Sequence, residues 1–298
     1  MQPSSVLIAG LAFHAAILAG GVVHAGEAKV SSEPLRLSTG GTPEQPAVFD
    51  GGGLVIDLGT DVTEHTWHRQ GDVWTSRGPL SGQGPRLAGQ LAGLFVDEVP
   101  LSIPRDLAAE KLHPDKKGGC YVAPAVLQPG QMGYLADGSV VFRWPAGKMP
   151  GQARIIAPPE PGTSCVTIAC SHIVVRNITV RHAANDGFNI HGGWVGIRLE
   201  HVRALSNADE GISAHGTVQM EVIDAEVAWT GSNAGGVADV DKSVTTYRQC
   251  KVHDNVGAAF YFSGRSHRVE DTLIYDPARD FAIQPGTSVN RERVSWRR

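Results

Sequence analysis

The 298-residue sequence has few of the features that mark nucleic-acid-binding or helical proteins. Charged residues make up 19% of it and the formal net charge is −4. No basic stripe dominates, which argues against a nucleic-acid binder. Amphipathic stretches of helical length are scarce, which disfavours a solenoid of alternating strands and helices. With 36 glycines and 18 prolines in the chain, we expect an all-β fold.

Basic residues are missing from the first five positions, although the following stretch has the character of a secretory signal. Val6 to Val23 is apolar and rich in Ala, Gly and Leu, and Val23-His24-Ala25 fits a small-residue cleavage site. We assign residues 1–25 to a signal peptide cleaved near Ala25 and expect a secreted or periplasmic protein; a retained anchor is the alternative. No later segment is apolar enough to span a membrane, so none is expected after cleavage.

The main positive signal is a repeat of 24 residues. Three runs of similar texture end at His191, His215 and Asp239, which lie 24 residues apart. A fixed period of this length with β-type content is typical of a solenoid. Apolar and polar columns alternate at this offset, as half-buried strands require. The predicted columns are Phe188, Ile212, Gly236 and Phe260; Ile190, Ala214, Ala238 and Phe262; and His191, His215, Asp239 and Ser263.

A second strand region repeats in the same way, so each turn should hold two or three short strands. Asn185, Asp209 and Asn233 form a further column, which we interpret as a turn-forming ladder because Asn and Asp tolerate left-handed backbone. The apolar columns take one residue from each coil, in the order given, and the coils contribute Ile173, Val175, Ile178 and Val180; Ile197, Leu199, Val202 and Ala204; Met220, Val222, Ala225 and Val227; Val244, Tyr247, Cys250 and Val252; and, for the last three columns, Val269, Thr272 and Ile274.

Four cysteines are present, and their spacing alone does not pair them. Cys250 falls in an apolar column of the repeat and is interpreted as a small buried hydrophobe. The others are Cys120, Cys165 and Cys170.

The regions before the repeat differ in texture. Asp137-Gly138 between β-rich runs predicts a hairpin, and a short helix is expected at Asp106–Leu112. Trp67, Trp74 and Trp144 are expected to pack inside this β-rich region rather than bind sugar. The predicted organisation is a signal peptide (1–25), a first coil and N-terminal cap (26–60), a β-rich insertion with loops (61–160), β-helix coils (161–286) and a C-terminal tail (287–298).

The stacked pattern resembles the right-handed parallel β-helix superfamily of pectate lyases, polygalacturonases and related carbohydrate enzymes. An Asn185-Asp186-Gly187 coil followed by the acidic pair Asp209-Glu210 is similar to polygalacturonases, whose Gly-His-Gly and Arg-Ile-Lys motifs are absent. The resemblance implies a right-handed parallel β-helix with a β-rich insertion near the N-terminus and a polysaccharide substrate.

Neighbouring coils lie about 4.8 Å apart, so side chains one period apart can touch. His191, His215 and Asp239 should therefore form an outward row, with Asp186 and Glu210 as a second pair beside it. These five are the predicted catalytic residues. The predicted substrate-binding residues on the same face or its edges are Asn189, Ser213, Tyr261, Lys242 and Arg265.

Three chemistries fit these residues. Hydrolysis would use two carboxyl groups as acid and base or nucleophile. β-Elimination on an acidic polysaccharide would use His191 or His215 as the base, with Lys242, Arg265 or Ca²⁺ neutralising the uronate. A transition metal held by two histidines and an aspartate is the third, although a straight row suits it less. No cofactor is required by the pattern, and Ca²⁺ is a candidate.

We favour a secreted polysaccharide-active enzyme, a glycoside hydrolase or a lyase, acting as a monomer. A non-catalytic carbohydrate-binding or surface scaffold is the rival class. A fragment of a longer enzyme is the third alternative.

Overall fold

The structure is a computed structural model that describes residues 22–24, 30–78, 80, 93–102, 124–135, 137–147, 153–160, 162–232, 234–275 and 280–297. The expected helix at Asp106–Leu112, Cys120, Asn233 and most of the predicted signal peptide lie outside these residues. Strands dominate the described part, and its helical element is a single 3₁₀ turn at Pro124–Val126.

The strands are short, as expected for coils of two dozen residues. They are β1 (Val22–His24), β2 (Val30–Ser31), β3 (Leu35–Leu37), β4 (Ala47–Asp57), β5 (Thr60–Asp61), β6 (Trp67–Gln70), β7 (Val73–Ser76), β8 (Phe95–Val96), β9 (Val99–Pro100), β10 (Met132–Tyr134), β11 (Val140–Arg143), β12 (Ile155–Ala157), β13 (Val166–Ile168), β14 (Ile173–Arg181), β15 (Phe188–Gly192), β16 (Ile197–Leu205), β17 (Ile212–Gly216), β18 (Gln219–Ile223), β19 (Glu226–Ala228), β20 (Gly235–Asp239), β21 (Val244–Arg248), β22 (Lys251–His253), β23 (Ala258–Phe262), β24 (Ser266–Glu270), β25 (Leu273–Tyr275), β26 (Phe281–Ile283), β27 (Ser288–Glu292) and β28 (Ser295–Arg297).

Two parallel sheets run along the coils and form a parallel β-solenoid, which confirms the predicted fold class. Sheet 1 has seven strands in the order β3, β13, β15, β17, β20, β23 and β26. Sheet 2 has thirteen and includes the long strands β4, β14 and β16. Inward side chains of both sheets fill one continuous apolar core. The last coil continues through β27 and β28, which pair with β24 and β25.

The predicted register holds over the first coils of the repeat. His191 lies opposite His215, and Phe188 lies opposite Ile212. In sheet 2, Ile173 pairs with Ile197, which pairs in turn with Met220. The apolar columns read from the sequence are therefore the core columns of these coils.

The register changes by one residue at β20, and the predicted place of Asp239 is wrong. Val237 rather than Gly236 lies opposite Ile212, and Asp239 lies opposite Ala214. Asp239 therefore points into the core and is 0% exposed. The physical reason is that the shift puts the apolar Val237 into the core column where a strict 24-residue period would put a glycine.

The coil that follows shows a related difference in sheet 2. Thr245, not Val244, lies opposite Met220. Val244 is consequently 36% exposed while Thr245 is buried. Tyr247, Cys250 and Val252 occupy the core as predicted.

The β-rich insertion forms two antiparallel four-stranded sheets, β6-β7-β11-β10 and β5-β12-β8-β9. Strands β10 and β11 form the hairpin predicted at Asp137-Gly138. Trp74 and Trp144 are buried, and Trp67 packs against the same core, so their predicted packing role is confirmed.

Cys165, Cys170 and Cys250 are buried free thiols. Cys250 is 3% exposed and behaves as the predicted small hydrophobe. None of the helices in the described ranges has the length and apolar character needed to cross a lipid bilayer.

Candidate active site

The candidate site lies at the corner where the chain enters β15 and β17. Gly187 and Gly211 let neighbouring coils approach closely at this corner. The Gly187 amide donates to the Glu210 carbonyl at 2.9 Å, and a Cβ at Gly187 would lie 2.7 Å from the Gly211 carbonyl oxygen. Since any larger residue would collide there, the glycine fixes Asp186 directly beneath Glu210.

Three carboxyl groups meet at this corner. One oxygen from each of Asp186, Asp209 and Glu210 lies within 4.8 Å of the others. Asp186 is 2% exposed and Glu210 is 8% exposed, whereas Asp209 is partly exposed. The structure thus brings together the predicted pair Asp186 and Glu210 and adds Asp209 on the solvent side. We call these three residues the carboxyl cluster.

Neutral hydrogen-bond donors hold the carboxyl cluster in place. The Asn189 side-chain amide donates to Asp186 at 2.7 Å, and that of Asn185 donates at 3.2 Å. The Ser232 hydroxyl donates to Glu210 Oε1 at 2.6 Å. Among the described residues, no lysine or arginine forms an ion pair with any of the three acids. Their charge is therefore not balanced by a neighbouring cation.

Burial without a cation favours the protonated acids. Burial, followed by the charge of Asp209, raises the pKa of Asp186 to about 7. Burial, followed by the charge of Asp186, raises the pKa of Glu210 to about 8. The pKa of Asp209 is raised well above its usual range by burial and by Glu210. The carboxyl cluster therefore holds protons at neutral pH and titrates as a coupled unit.

Two histidines line the open side of the carboxyl cluster. The rings of His191 and His215 stack with centroids 3.9 Å apart. His191 Nε2 lies 3.7 Å from Asp186 Oδ2 and 3.4 Å from Ser213 Oγ. Burial and the neighbouring His215 lower the pKa of His191 to about 4, and burial lowers that of His215. Both imidazoles are therefore neutral near pH 7, and His191 reaches from solvent to Asp186.

Asp239, predicted to complete the histidine row, instead belongs to a polar group inside the core. Its Oδ2 accepts hydrogen bonds from Thr245 Oγ1 at 2.6 Å and from the Tyr247 hydroxyl at 2.9 Å. Thr245 Oγ1 also lies 2.7 Å from His267 Nδ1. Burial raises the pKa of Asp239 to about 7 and lowers that of His267 to about 4. This group is separate from the outward face.

The predicted substrate-binding residues are spread over several coils. Asn189 and Ser213 lie beside the histidines, although Ser213 is only 1% exposed. Tyr261 lies two coils further along the outward column, between Ala238 and Ala282. Lys242 and Arg265 are exposed at the turns that follow β20 and β23. No described side-chain contact joins Tyr261, Lys242 or Arg265 to the carboxyl cluster.

Asn185 and Asp209 stack in successive bends as the turn-ladder interpretation predicts, with the Asp209 amide donating to the Asn185 carbonyl at 3.4 Å, but the left-handed backbone expected of them is wrong. Neither Asn185 nor Asp209 has left-handed backbone, which occurs instead at other corners such as His201 and Asp224. Asp209 contributes its carboxyl to the cluster, and its adjacency to Glu210 was the available sequence signal. Ser232 carries no such signal, because the residue one period before it is Ala208, so its hydroxyl continues no polar column.

Asp241 lies in the turn that follows β20. Its Oδ2 accepts a hydrogen bond from the Gly216 amide at 2.9 Å. From this place its charge opposes the lowering of the pKa values of His191 and His215. The predicted outward row of His191, His215 and Asp239 therefore consists of two stacked histidine rings with Asp241 beside them. It does not form three metal ligands in line.

The carboxyl cluster is also the group of side chains, within the described ranges, whose spacing suits a metal ion. Its all-oxygen donors suit Ca²⁺ better than a transition metal. The same three groups can share protons instead, as the raised pKa values indicate.

Comparison with known proteins gave structural likenesses alone. No family model matches the chain, and no curated protein matches it. Several solved structures are similar to it, three of which follow. XylC in complex with xylose has a TM-score of 0.43 and 11% identity over 93% of this chain. A glycoside hydrolase has a TM-score of 0.27 and 8% identity, covering 91% of this chain and 89% of its own. The tailspike protein gp49 of Pseudomonas phage LKA1 has a TM-score of 0.34 and 12% identity over 92% of this chain. This chain spans 65% of the XylC chain and 50% of the tailspike.

Proposed function

We propose that this chain is a secreted polysaccharide-active enzyme that hydrolyses glycosidic bonds at the carboxyl cluster. The observation that carries the proposal is the set of three clustered carboxyls that have no lysine or arginine partner among the residues the structure describes. A glycosidase needs one carboxyl that holds a proton for the leaving group at working pH. Burial supplies this property to Glu210 and Asp186.

Roles follow from exposure and contacts. Glu210, whose pKa is raised to about 8, is the general acid that protonates the glycosidic oxygen. Asp209, the most exposed carboxyl, faces the sugar. Once the coupled group has released one of its protons, Asp209 carries the negative charge and attacks the anomeric carbon while Glu210 protonates the departing oxygen. Water activated by the then ionised Glu210 hydrolyses the resulting glycosyl ester. Asp186 and the hydrogen bond from Ser232 to Glu210 hold the acid in place and distribute protons within the coupled group.

The neighbouring side chains suit a sugar. His191 and Asn189 offer neutral hydrogen-bonding groups to substrate hydroxyls, and His191 connects Asp186 with solvent. Tyr261 lies further along the same column between two alanines, whose small side chains leave space for a sugar ring to stack on it. Lys242 and Arg265, exposed at the turns that follow β20 and β23, can contact substituents of the glycan.

The geometry favours hydrolysis over elimination. Elimination requires a base beside a uronate whose carboxylate is neutralised by cations. Lys242 and Arg265 make no described contact at the carboxyl cluster. Ca²⁺ bound by Asp186, Asp209 and Glu210 is the other way in which a uronate carboxylate would be neutralised here. Binding of Ca²⁺ would displace the protons of these acids.

The test is an assay of the chain on neutral and acidic polysaccharides with Ca²⁺ and with EDTA. Reducing ends and the ultraviolet absorbance of unsaturated uronates are followed together. Reducing ends without absorbance, insensitive to EDTA, are expected. Absorbance that requires Ca²⁺ would replace hydrolysis with elimination, and glycan binding without product would select the scaffold alternative.

A further inference from the structure

The insertion rests on the coil corner that leads into the carboxyl cluster. Phe95 and Ile156 of the insertion form an apolar cluster with Ala208, the residue before Asp209. The approach is so close that a Cβ at Gly93 would lie 2.5 Å from the Ala208 Cβ. A displacement of the insertion would therefore open this corner to water.

One buried histidine joins the insertion to the solenoid beside this contact. The His182 side chain is 3% exposed, and its Nδ1 lies 2.7 Å from Asp57 Oδ1 at the end of β4. Its Nε2 lies 3.2 Å from Oε2 of Glu98, a residue on the turn between β8 and β9. The two atoms are close enough for an ion pair, although they are not aligned as a hydrogen bond. Two carboxylates from different parts of the chain thus face opposite sides of one imidazole.

The same turn is bonded to the next coil. The Ser206 hydroxyl donates to the Glu98 carbonyl at 2.7 Å. The His182 amide donates to the Ser206 carbonyl, and the Ala208 amide donates to the Ala183 carbonyl, both at 2.9 Å. His182, the β8–β9 turn and residues 206–208 therefore form one connected unit immediately before Asp209 and Glu210.

The charges around His182 favour its protonated form. Burial alone would lower the pKa of His182, but hydrogen bonds and charge from Asp57 and Glu98 raise it. Arg181 contacts both carboxylates, at 2.9 Å from Asp57 and 3.8 Å from Glu98. Arg154 lies near enough to interact electrostatically with both. Phe95 covers the ring from the insertion side, with centroids 5.1 Å apart.

We propose that His182 is a positioning residue that fastens the β8–β9 turn to the corner 206–210 and so keeps water away from Asp209 and Glu210. The fastening consists of an imidazolium held between Asp57 and Glu98. Loss of its proton leaves Glu98 with an uncharged neighbour and weakens the contact. The docking itself is independent of the proposed hydrolysis, and its effect on catalysis rests on that function.

The test is hydrogen exchange of the whole chain as a function of pH, with Glu98→Gln as the variant. Glu98 is 44% exposed, so this near-isosteric change should leave the fold intact. Protection of residues 94–101 and 206–211, corrected for the intrinsic exchange rate, is expected to fall together as pH rises through the pKa of His182. In Glu98→Gln the midpoint should move to lower pH by about one unit. The matched control is Glu160→Gln, since Glu160 is exposed and makes no described ion pair.

Three outcomes decide the proposal. Equal midpoints in wild type and Glu98→Gln, or a fall of protection in 94–101 without one in 206–211, would overturn it. If the protein cleaves a glycan, the earlier opening of the corner in Glu98→Gln should hydrate Glu210 and move the alkaline limb that Glu210 sets to lower pH; a limb that stays in place while the exchange midpoint moves would overturn the catalytic part. Failure to cleave any glycan would reject the proposed function while the exchange result still decides the docking.

Discussion

At the residue scale, the account depends on how buried carboxyls keep their protons. Asp186, Asp209 and Glu210 share one corner without a cation from the described part of the chain, whereas most acids of sheet 2, such as Glu226, are paired with basic side chains. Glu226 illustrates the contrast, because hydrogen bonds from Lys251 and His253 overcome its burial and lower its pKa to about 2. The same residue type thus keeps its proton at one corner and is ionised in ion pairs on another face.

The spacing of the carboxyl cluster predicts the stereochemistry of cleavage. The carboxyl oxygens lie within 4.8 Å of one another, which leaves no room for a water molecule between the acid and the nucleophile. This short separation is typical of retaining enzymes, whereas inverting enzymes need the wider spacing. We expect the first product to keep the anomeric configuration of the substrate. Proton NMR of the released anomer, recorded before mutarotation, checks this, and an inverted product would assign the base role to a more distant acid.

Asp239 provides a second prediction at this scale. Asp239 lies inside the core and makes no contact with a bound substrate. Because kcat/KM changes when contacts with the substrate or the transition state are lost, Asp239→Asn should leave kcat/KM within about twofold of wild type. The substitution removes a buried group whose charged form is destabilised, so it should raise the unfolding free energy at pH 8.5 by about 1–3 kcal/mol. Activity assays and denaturant unfolding of both proteins measure the two effects. A large loss of activity in a stable variant would return Asp239 to the active face.

At the element scale, β20 shows what periodicity can and cannot predict. The strict 24-residue period placed β15 against β17 correctly because both strands alternate apolar and polar residues without interruption. It failed at β20, where Gly235-Gly236 removes the side chains that would distinguish one face from the other. Register is then decided by burying Val237, a tertiary effect that the repeat length does not contain.

A matched pair of substitutions tests the observed register. Val237 is 0% exposed and Val244 is 36% exposed, whereas the strict period gives the opposite assignment. Val237→Ala should therefore lower the unfolding free energy by about 2 kcal/mol, and Val244→Ala should change it by less than about 0.5 kcal/mol. Urea unfolding of both variants distinguishes the registers, and equal or reversed effects would contradict the one described.

The candidate site was predictable in part for the same reason. Asp186, His191, Glu210 and His215 lie on coils where the period holds, so sequence alone placed them together. Asp209 was assigned to a turn-forming ladder because Asn and Asp tolerate left-handed backbone and bond locally in turns. Docking of the insertion through Glu98 and His182 joins distant segments, and no local pattern encodes it.

At the scale of the whole molecule, the buried acids predict an unusual pH dependence of stability. Above about pH 6.5, unfolded carboxyls are ionised, but folded Asp186, Glu210 and Asp239 still hold protons, since their pKa values are raised to about 7 to 8. The folded state then binds more protons than the unfolded state, so the unfolding free energy falls as pH rises. His182, whose pKa is also raised, contributes in the same direction.

We therefore expect the unfolding free energy to decrease between about pH 6.5 and 8.5, by up to about 1.4 kcal/mol per pH unit for each carboxyl that remains protonated. Denaturant unfolding at several pH values measures the slope. The combined variant Asp186→Asn, Glu210→Gln, Asp239→Asn should flatten it. A wild-type stability that is constant or rises over this range would mean that the buried acids are ionised.

The most direct test of the central claim is the pH dependence of kcat/KM for reducing-end release by wild type, Glu210→Gln and the control Glu160→Gln. If Glu210 is the general acid, wild-type activity should fall as pH rises through about 8, where the acid loses its proton. Glu210→Gln should lose about 10²- to 10⁴-fold of activity together with that alkaline limb, while Glu160→Gln keeps both. A folded Glu210→Gln protein with wild-type kcat/KM and an unchanged alkaline limb would contradict the assignment of hydrolysis to the carboxyl cluster.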